Sequence, residues 1–493
     1  MSSENVAIVG AGFAGMAAAA LLARDGYDVT VLEKNSRPGG RAMIYESEGY
    51  TFDMGPSWYM MLEAFERFFA EFGKTPDDYY ETVRLDPSYR VFFSQDDIID
   101  VHADLDQNMA LFNELEPGGA KKLQRFLDQS KYQYEVALGD FIYRQYESWR
   151  DILDLQLIVE GAKLHIFQSL DRFTRRYFSS VKARKLIEYS IAFVGGAPHI
   201  SPAMYSLLTH CDLNLGIWYP KGGYGSVMQA VYDLARQQGA TFQFDTDVQR
   251  VNIDGGTATG ISTDQDDIDA DIVLNTVDYW HGEMNMLPER YRTYGQRYWQ
   301  KRVLAPASYL IFLGLDTKVD ALVHHNLYLN PDWDTYFQQV FGPRQRWPDD
   351  PSYYVSCQSR TDPSMAPEGG ENLTILVLVA PGLQDTEEIR RRYYDKIIDH
   401  FEQLIGANIR EHVVTKRIFA HNDFVSYFNA YKGTSLGLAH TLRQTALFRP
   451  HHRSKKVDNL YYAGQYTHPG VGVPVTLISS QIAHHLIRED HGS

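Results

Sequence analysis

The sequence predicts an α/β fold built on a parallel sheet, with a mixed α+β region and a helical region attached. Three observations predict it. A buried-strand run, Val6-Ala7-Ile8-Val9, leads directly into Gly10-Ala11-Gly12-Phe13-Ala14-Gly15 and then a helical stretch over 16–24 that Gly26 stops. A second strand over 27–32 ends in Glu33, 23 residues after the first glycine of the series. Strands suited to the same sheet return only at 271–277 and, near the C-terminus, at 459–462, so the sheet is assembled from separated segments.

Each glycine of the opening unit has its own task. Gly10 permits the tight turn, Gly12 lets the backbone approach a pyrophosphate, and Gly15 lets helix pack on strand, while the helix N-terminus supplies positive potential. Glu33 then accepts hydrogen bonds from ribose hydroxyls. Val6 to Ala23 carry no charge, a length that qualifies as a membrane-span candidate. The three glycines split that run, and the first basic residue is Arg24, so neither a span nor a signal peptide is expected.

Further along the chain, Arg37-Pro38-Gly39-Gly40-Arg41 implies a second close approach of backbone to phosphate, with Arg41 adding positive charge. Residues 50–57, Tyr-Thr-Phe-Asp-Met-Gly-Pro-Ser, read as a strand ending in a Gly-Pro turn. Residues 118–194 read as mostly helical. Within them Phe167 to Tyr177 mixes Phe, Leu and Tyr with Arg172, Arg175 and Arg176, the pattern of an interfacial helix that offers rings to lipid and cations to headgroups. An ordinary amphipathic core helix has the same composition. Val248 to Ile253 and Thr257 to Thr263 form a hairpin about Asp254-Gly255-Gly256, and the acidic run 264–267 is a solvated turn before the strand over 271–277.

Composition bounds the function. The chain of 493 residues, 44% apolar, fills a large core and excludes both disorder and a disulfide-stapled miniprotein. Lys+Arg 47 against Asp+Glu 63 leaves −16, which repels nucleic acid. Cys211 and Cys357 stand far apart without a second pair, which fits a reducing, cytoplasmic setting and gives no zinc motif. Histidine pairs at 324–325, 451–452 and 484–485 do not share a helix face, so no metal is expected. The 33 tyrosines either sit half-exposed or line a long apolar cavity or a bilayer headgroup region.

The first-turn glycines, Arg37 to Arg41 and the 50–57 segment together resemble the flavin-dependent amine oxidase and carotenoid desaturase superfamily. Near the C-terminus, Asn459-Leu460-Tyr461-Tyr462-Ala463-Gly464 followed by Gln465-Tyr466-Thr467-His468-Pro469-Gly470-Val471-Gly472-Val473-Pro474 resembles the terminal signature of bacterial-type phytoene desaturases. Trp218 to Gly225 is similar to the central motif of that family, and His451-His452-Arg453 to its basic segment. The chain departs from the pattern at Gln465 and Tyr466, where small residues usually stand.

The resemblance implies FAD held by a Rossmann-type domain. Its expected contacts are Gly10, Gly12, Phe13, Ala14 and Gly15 in the first turn, then Glu33 and Lys34, then Gly40 and Arg41. Gly55, Pro56 and Ser57 follow, then Val248 and Asp278, and last Gly464, Gly472 and Val473. The expected division is 1–85, 212–289 and 455–493 for FAD, 86–117 and 290–454 for substrate, and 118–211 as a helical, membrane-facing subdomain. The protein would be peripheral to the inner face of the cell membrane and would take a long apolar carotenoid from it.

No second GxGxxG occurs, so electrons are expected to enter from the substrate rather than from a nicotinamide. Hydride loss to flavin N5 beside a conjugated polyene leaves a delocalised cation, and a modest base suffices to take the remaining proton. His468 is the first candidate and Asp151, beside Arg150, the second. The substrate is phytoene-like or a hydroxylated carotenoid that undergoes 3,4-desaturation. Two alternatives remain at this point: another oxidase of the superfamily, or a non-catalytic prenyl-lipid carrier of the same fold.

Overall fold

The structure, a computed structural model, describes residues 4–145, 164–445 and 448–492. Strands β1 (Asn5–Val9), β2 (Asp28–Leu32), β3 (Thr241–Gln243), β4 (Ile272–Asn275) and β5 (Leu460–Tyr462) form one sheet in the order β5-β4-β1-β2-β3, with every pairing parallel. The apolar run of β1 follows from its place at the centre, because a parallel sheet is covered on both faces. Val6 and Ile8 face one core; Ala7 and Val9 face the other.

Three helices cover the first face. Helix α1 (Phe13–Arg24) packs between α2 (Gly223–Gln237) and α3 (Val473–His491). Ala17, Ala18, Ala19 and Ala20 are fully buried, and their small side chains let both neighbours approach. Helix α1 starts at Phe13 with Gly12 as its N-cap, so the second half of the glycine series is already helical. The antiparallel strands Val248–Asp254, Thr257–Thr263 and Asp267–Asp269 cover the other face. The acidic turn is thus shorter than the sequence suggests, since Asp267 already pairs with Ser262.

A second sheet has seven strands in the order 413–419, 307–315, 371–379, 353–356, 325–328, 89–94 and 97–101. Only the 325–328 and 89–94 pairing is parallel. Side chains of its long strands alternate between faces. Ile311, Ile375 and Val377 pack beneath the helix Glu387–Ile405, while Ser308, Leu310, Leu376 and Leu378 face a cavity shared with the first domain.

Between 105 and 217 the described residues are helix, turn and isolated bridges. The interfacial helix expected over 167–177 is shorter, Leu170–Thr174, with the Ser169 hydroxyl accepting from the Arg172 amide at 3.4 Å. Leu170 and Phe173 turn inward, 1% exposed, whereas Phe167 is 87% exposed. Among the described residues no helix is long and apolar enough to cross a membrane.

Candidate active site

The site begins where β1 ends. Gly10, at φ +100°, donates its amide to the Leu32 carbonyl at 2.7 Å and turns the chain into α1. A Cβ on Gly12 would meet only the Gly40 Cα, at 3.9 Å, so this backbone faces open cavity. A Cβ on Gly15 would sit 1.9 Å from the Gly10 carbonyl oxygen. Gly15 therefore lies behind the cavity wall and serves packing, while Phe13 and Ala14 line the cavity.

Glu33 lies at the tip of β2 and is buried. Its carboxylate accepts from the Ala11 amide at 2.8 Å and from the backbone and side chain of Asn35 at 2.9 and 2.7 Å. These bonds fix the carboxylate at the edge of the cavity, and each oxygen keeps acceptor capacity for a hydroxyl. Lys34 also lines the cavity, but its ammonium donates to the Ser426 carbonyl at 2.6 Å and to Asn429 Oδ1 at 3.0 Å. It ties the helix His421–Phe428 to the nucleotide domain, and burial lowers its pKa.

The second glycine pair sits on the first. The Gly39 amide donates to the Ala11 carbonyl at 2.8 Å, and a Cβ on Gly40 would come within 3.1 Å of the Gly12 Cα. Arg41 follows, 3.5 Å from Asp278 Oδ2 and with its guanidinium 5.5 Å from the Phe428 ring centre. Its buried Nε has no partner among the described residues. Gly12 and Gly40 thus give bare backbone, α1 gives amide dipoles and Arg41 a cation with a donor to spare, a set that fits the pyrophosphate of FAD. Val248 lines the cavity near this end.

Gly55, Pro56 and Ser57 also line the cavity, and Gly55 packs so closely on the Arg41 carbonyl that a Cβ would lie 2.1 Å from its oxygen. The C-terminal turn lines it too. The Gly464 amide donates to Ser479 Oγ at 2.9 Å, and the Thr467 hydroxyl donates back to the Gly464 carbonyl at 2.8 Å. Gly472, at φ +127°, starts α3, and Gly472 and Val473 both face the cavity.

At Tyr466, one of the two positions that depart from the family pattern, the structure gives a use for the larger residue. The Tyr466 hydroxyl donates to Asp278 Oδ2 at 2.7 Å. Burial raises the Asp278 pKa against the pull of Arg41, and the Tyr466 ring packs edge-on to Trp299 at 5.9 Å. The carbonyls of Gln465, Tyr466 and Thr467 all accept from Arg449, at 2.5, 3.2 and 3.1 Å. Arg449 is buried, its hydrogen bonds go to carbonyls alone among the described residues, and burial pushes its pKa down to about 10. Sequence reading passes over it in favour of Arg453, which instead binds Glu489 and Asp490 on α3.

His468 lines the cavity at the end of this turn. Its Nε2 lies 3.1 Å from both the Phe141 and Ile142 carbonyls, so that nitrogen carries the proton. Burial, with the His452 ring next in effect, pushes its pKa down to about 3. His452 sits under the turn, its ring nitrogens 2.9 Å from the Tyr462 carbonyl and 3.0 Å from that of His468. Asp151 lies outside the described residues.

Beyond these groups the cavity, about 610 Å³, becomes apolar, with Phe141, Phe193, Tyr205, Leu208 and Leu376 among its walls. Phe167, Leu442 and Phe448 also line it and are 87%, 41% and 56% exposed, an apolar opening to the outside. Tyr189, Tyr205, Tyr354 and Tyr466 all line it, which resolves one of the two readings of the tyrosine surplus for these residues.

Comparison with known proteins places this geometry. The family described as flavin containing amine oxidoreductase matches residues 13–483. The chain is 41% identical over 491 residues to the carotenoid 3,4-desaturase of Haloarcula japonica, covering 99% of each chain. It is 31% identical to the zeta-carotene-forming phytoene desaturase of Myxococcus xanthus, over 97% of this chain and 93% of that one. The crystal structure of an oxidoreductase from Methanosarcina mazei superposes with a TM-score of 0.61 at 16% identity, covering 97% and 99% of the two chains.

Proposed function

The chain belongs to the flavin containing amine oxidoreductase family, and from that premise we infer that it desaturates the 3,4 bond of a carotenoid. At the coarser level it is an FAD-dependent carotenoid desaturase, an oxidoreductase acting on CH–CH bonds. The 3,4 position rests on the full-length similarity to the Haloarcula enzyme. The observation that carries the reading is one continuous cavity with two chemistries: bare glycine backbone, Glu33 and Arg41 at one end, and rings leading to an exposed apolar mouth at the other.

FAD, when bound, supplies the hydride acceptor for the chemistry. The residues proposed to hold it are Gly12, Phe13, Ala14, Gly40 and Arg41 at the pyrophosphate, Glu33 at the ribose, and Gly55, Pro56, Ser57, Asp278, Gly464, Gly472 and Val473 towards the ring. The apolar walls hold the polyene in place and exclude water, which protects a carbocation formed beside the conjugated system. His468, which lines the cavity, is proposed to take the remaining proton. With its pKa near 3 the imidazole is neutral at physiological pH, and a proton next to a polyene cation is acidic enough to pass to so weak a base. Arg449 and His452 position the turn that carries His468.

A long isoprenoid loses about 0.8 kcal/mol for every methylene-sized unit moved from lipid to water, so its source is a membrane. We propose that Phe167, Leu442 and Phe448 rest in the lipid interface as the entrance, on a protein that is peripheral to the membrane. Expression in pigment-free bacteria supplied with phytoene, neurosporene or hydroxylated carotenoids tests the assignment. Each added double bond shifts the absorption to the red, so a 3,4-desaturase extends the chromophore from its end by one step. Conversion of phytoene alone would move the assignment to an earlier desaturation.

A further inference from the structure

Behind the apolar branch lies a second void, of about 40 Å³. It shares Tyr189, Phe193, Tyr354, Leu376 and Leu378 with the main cavity, so only a wall of rings and two leucines divides them. The Phe193 ring meets Tyr354 edge-on at 5.7 Å and Tyr189 edge-on at 5.9 Å.

The polar atoms of four of the void's rings are engaged elsewhere. The Tyr189 hydroxyl donates to the buried Asp212 at 2.9 Å, the Tyr354 hydroxyl is 2.6 Å from His325 Nδ1, and the Tyr336 hydroxyl donates to the Leu378 carbonyl at 3.0 Å. The Trp333 indole donates to Ser352 Oγ at 3.1 Å. What faces the void is carbon. A space of this kind offers water no partners and leaves its walls short of dispersion contacts, so hydrocarbon is the occupant it favours. The same tethers distinguish the wall residues: Tyr189 and Tyr354 are held by their hydroxyls, while Phe193, stacked on Trp58 at 5.6 Å, has no hydrogen bond to hold it and is the ring that turns aside.

We infer that Phe193 gates a distal chamber that receives the far, hydrocarbon end of the polyene, so that this chamber reads chain length. The inference rests on the desaturase reading. A chain long enough to reach past Phe193 gains the chamber's contacts, and a shorter one leaves it empty.

The test compares a forty-carbon with a thirty-carbon linear polyene, both in vesicles, on the flavin-loaded full-length protein. Ala192 lines the chamber but not the main cavity. Ala192→Leu fills the space and is expected to lower kcat/KM roughly tenfold on the longer polyene, the scale of a misfitted methylene group, and less than twofold on the shorter one. Adding Phe193→Ala to that variant returns the lost space and is expected to recover most of the forty-carbon activity. Activity on the thirty-carbon chain reports that the variant is folded, and Ala192→Val provides a smaller step if the leucine variant loses its flavin. Equal losses on both chains, no loss on either, or no recovery in the double variant would each overturn the chamber. Wild-type protein inert on both polyenes would refute the desaturase reading itself, and the chamber with it.

Discussion

The two ends of the cavity are built by opposite rules. At the end proposed to hold the nucleotide the lining is mostly backbone, joined by the Glu33 and Arg41 side chains, and its residues are close in sequence: Gly10, Gly12, Phe13, Ala14, Glu33 and Gly39 to Arg41 all lie within the first 41 residues. At the end proposed for the polyene the walls are apolar side chains drawn from distant segments, with Phe141, Phe193, Tyr205, Tyr354 and Leu376 meeting only in the folded chain. Recognition of a phosphate needs a local backbone shape, which a short motif can encode. Recognition of a hydrocarbon needs only apolar surface around a void of the right form, and many sequences supply it.

The sharpest way to break the comparison is at Gly12. Gly12→Val puts a branched side chain into the space the backbone leaves open and is expected to abolish FAD binding, with activity falling below about 1%. The ratio of flavin to protein absorbance in the purified variant measures it. Normal flavin content would show that the nucleotide end does not depend on bare backbone.

Next in size is His468→Ala, which touches the junction of the two ends. It should keep its flavin and lose about 100-fold in kcat, the lower range for a general base. Because the folded pKa lies near 3, the wild-type rate should stay flat between pH 9 and 5, with no step at an ordinary imidazole value. A step near pH 6.5 that vanishes in the variant would assign a different protonation state to His468. The same depression links to stability: the contribution of the neutral ring is complete above the unfolded value near 6.5 and is lost as pH falls towards 3.

Arg449 tests whether the turn between the ends needs its buried cation. Arg449→Met removes the donor from three successive carbonyls and should cost about 2–3 kcal/mol of stability, read by thermal denaturation. Flavin content should survive at low temperature while kcat falls more than KM rises. Unchanged stability would mean that water satisfies the turn.

The smallest effect is expected at the mouth. Phe167→Ser should weaken flotation with neutral vesicles a few-fold and leave detergent-assisted activity intact, since this ring touches solvent over most of its surface. Leu170→Ser is the contrast, because Leu170 is buried and its loss damages the core by about 2–4 kcal/mol instead of the interface. Equal flotation of Phe167→Ser and wild type would put the entrance elsewhere.

The sequence by itself determined the parallel sheet, the glycine turn, Glu33 and the C-terminal turn, because each follows from conformational needs that extend over a few residues. Periodicity also announced the hairpin at 254–256, where Gly255 and Gly256 both adopt positive φ. Tertiary structure decided the rest. It turned Leu170 inward and Phe167 outward from a segment whose composition suits either face. It directed the Lys34 ammonium to the helix 421–428 rather than to the nucleotide, and it buried Arg449 against the very turn that carries His468. These outcomes depend on which distant surface arrives, and that is settled by packing across the whole chain. A motif records what the backbone must do locally, whereas the shape of an apolar cavity exists only as the space that separated segments leave between them.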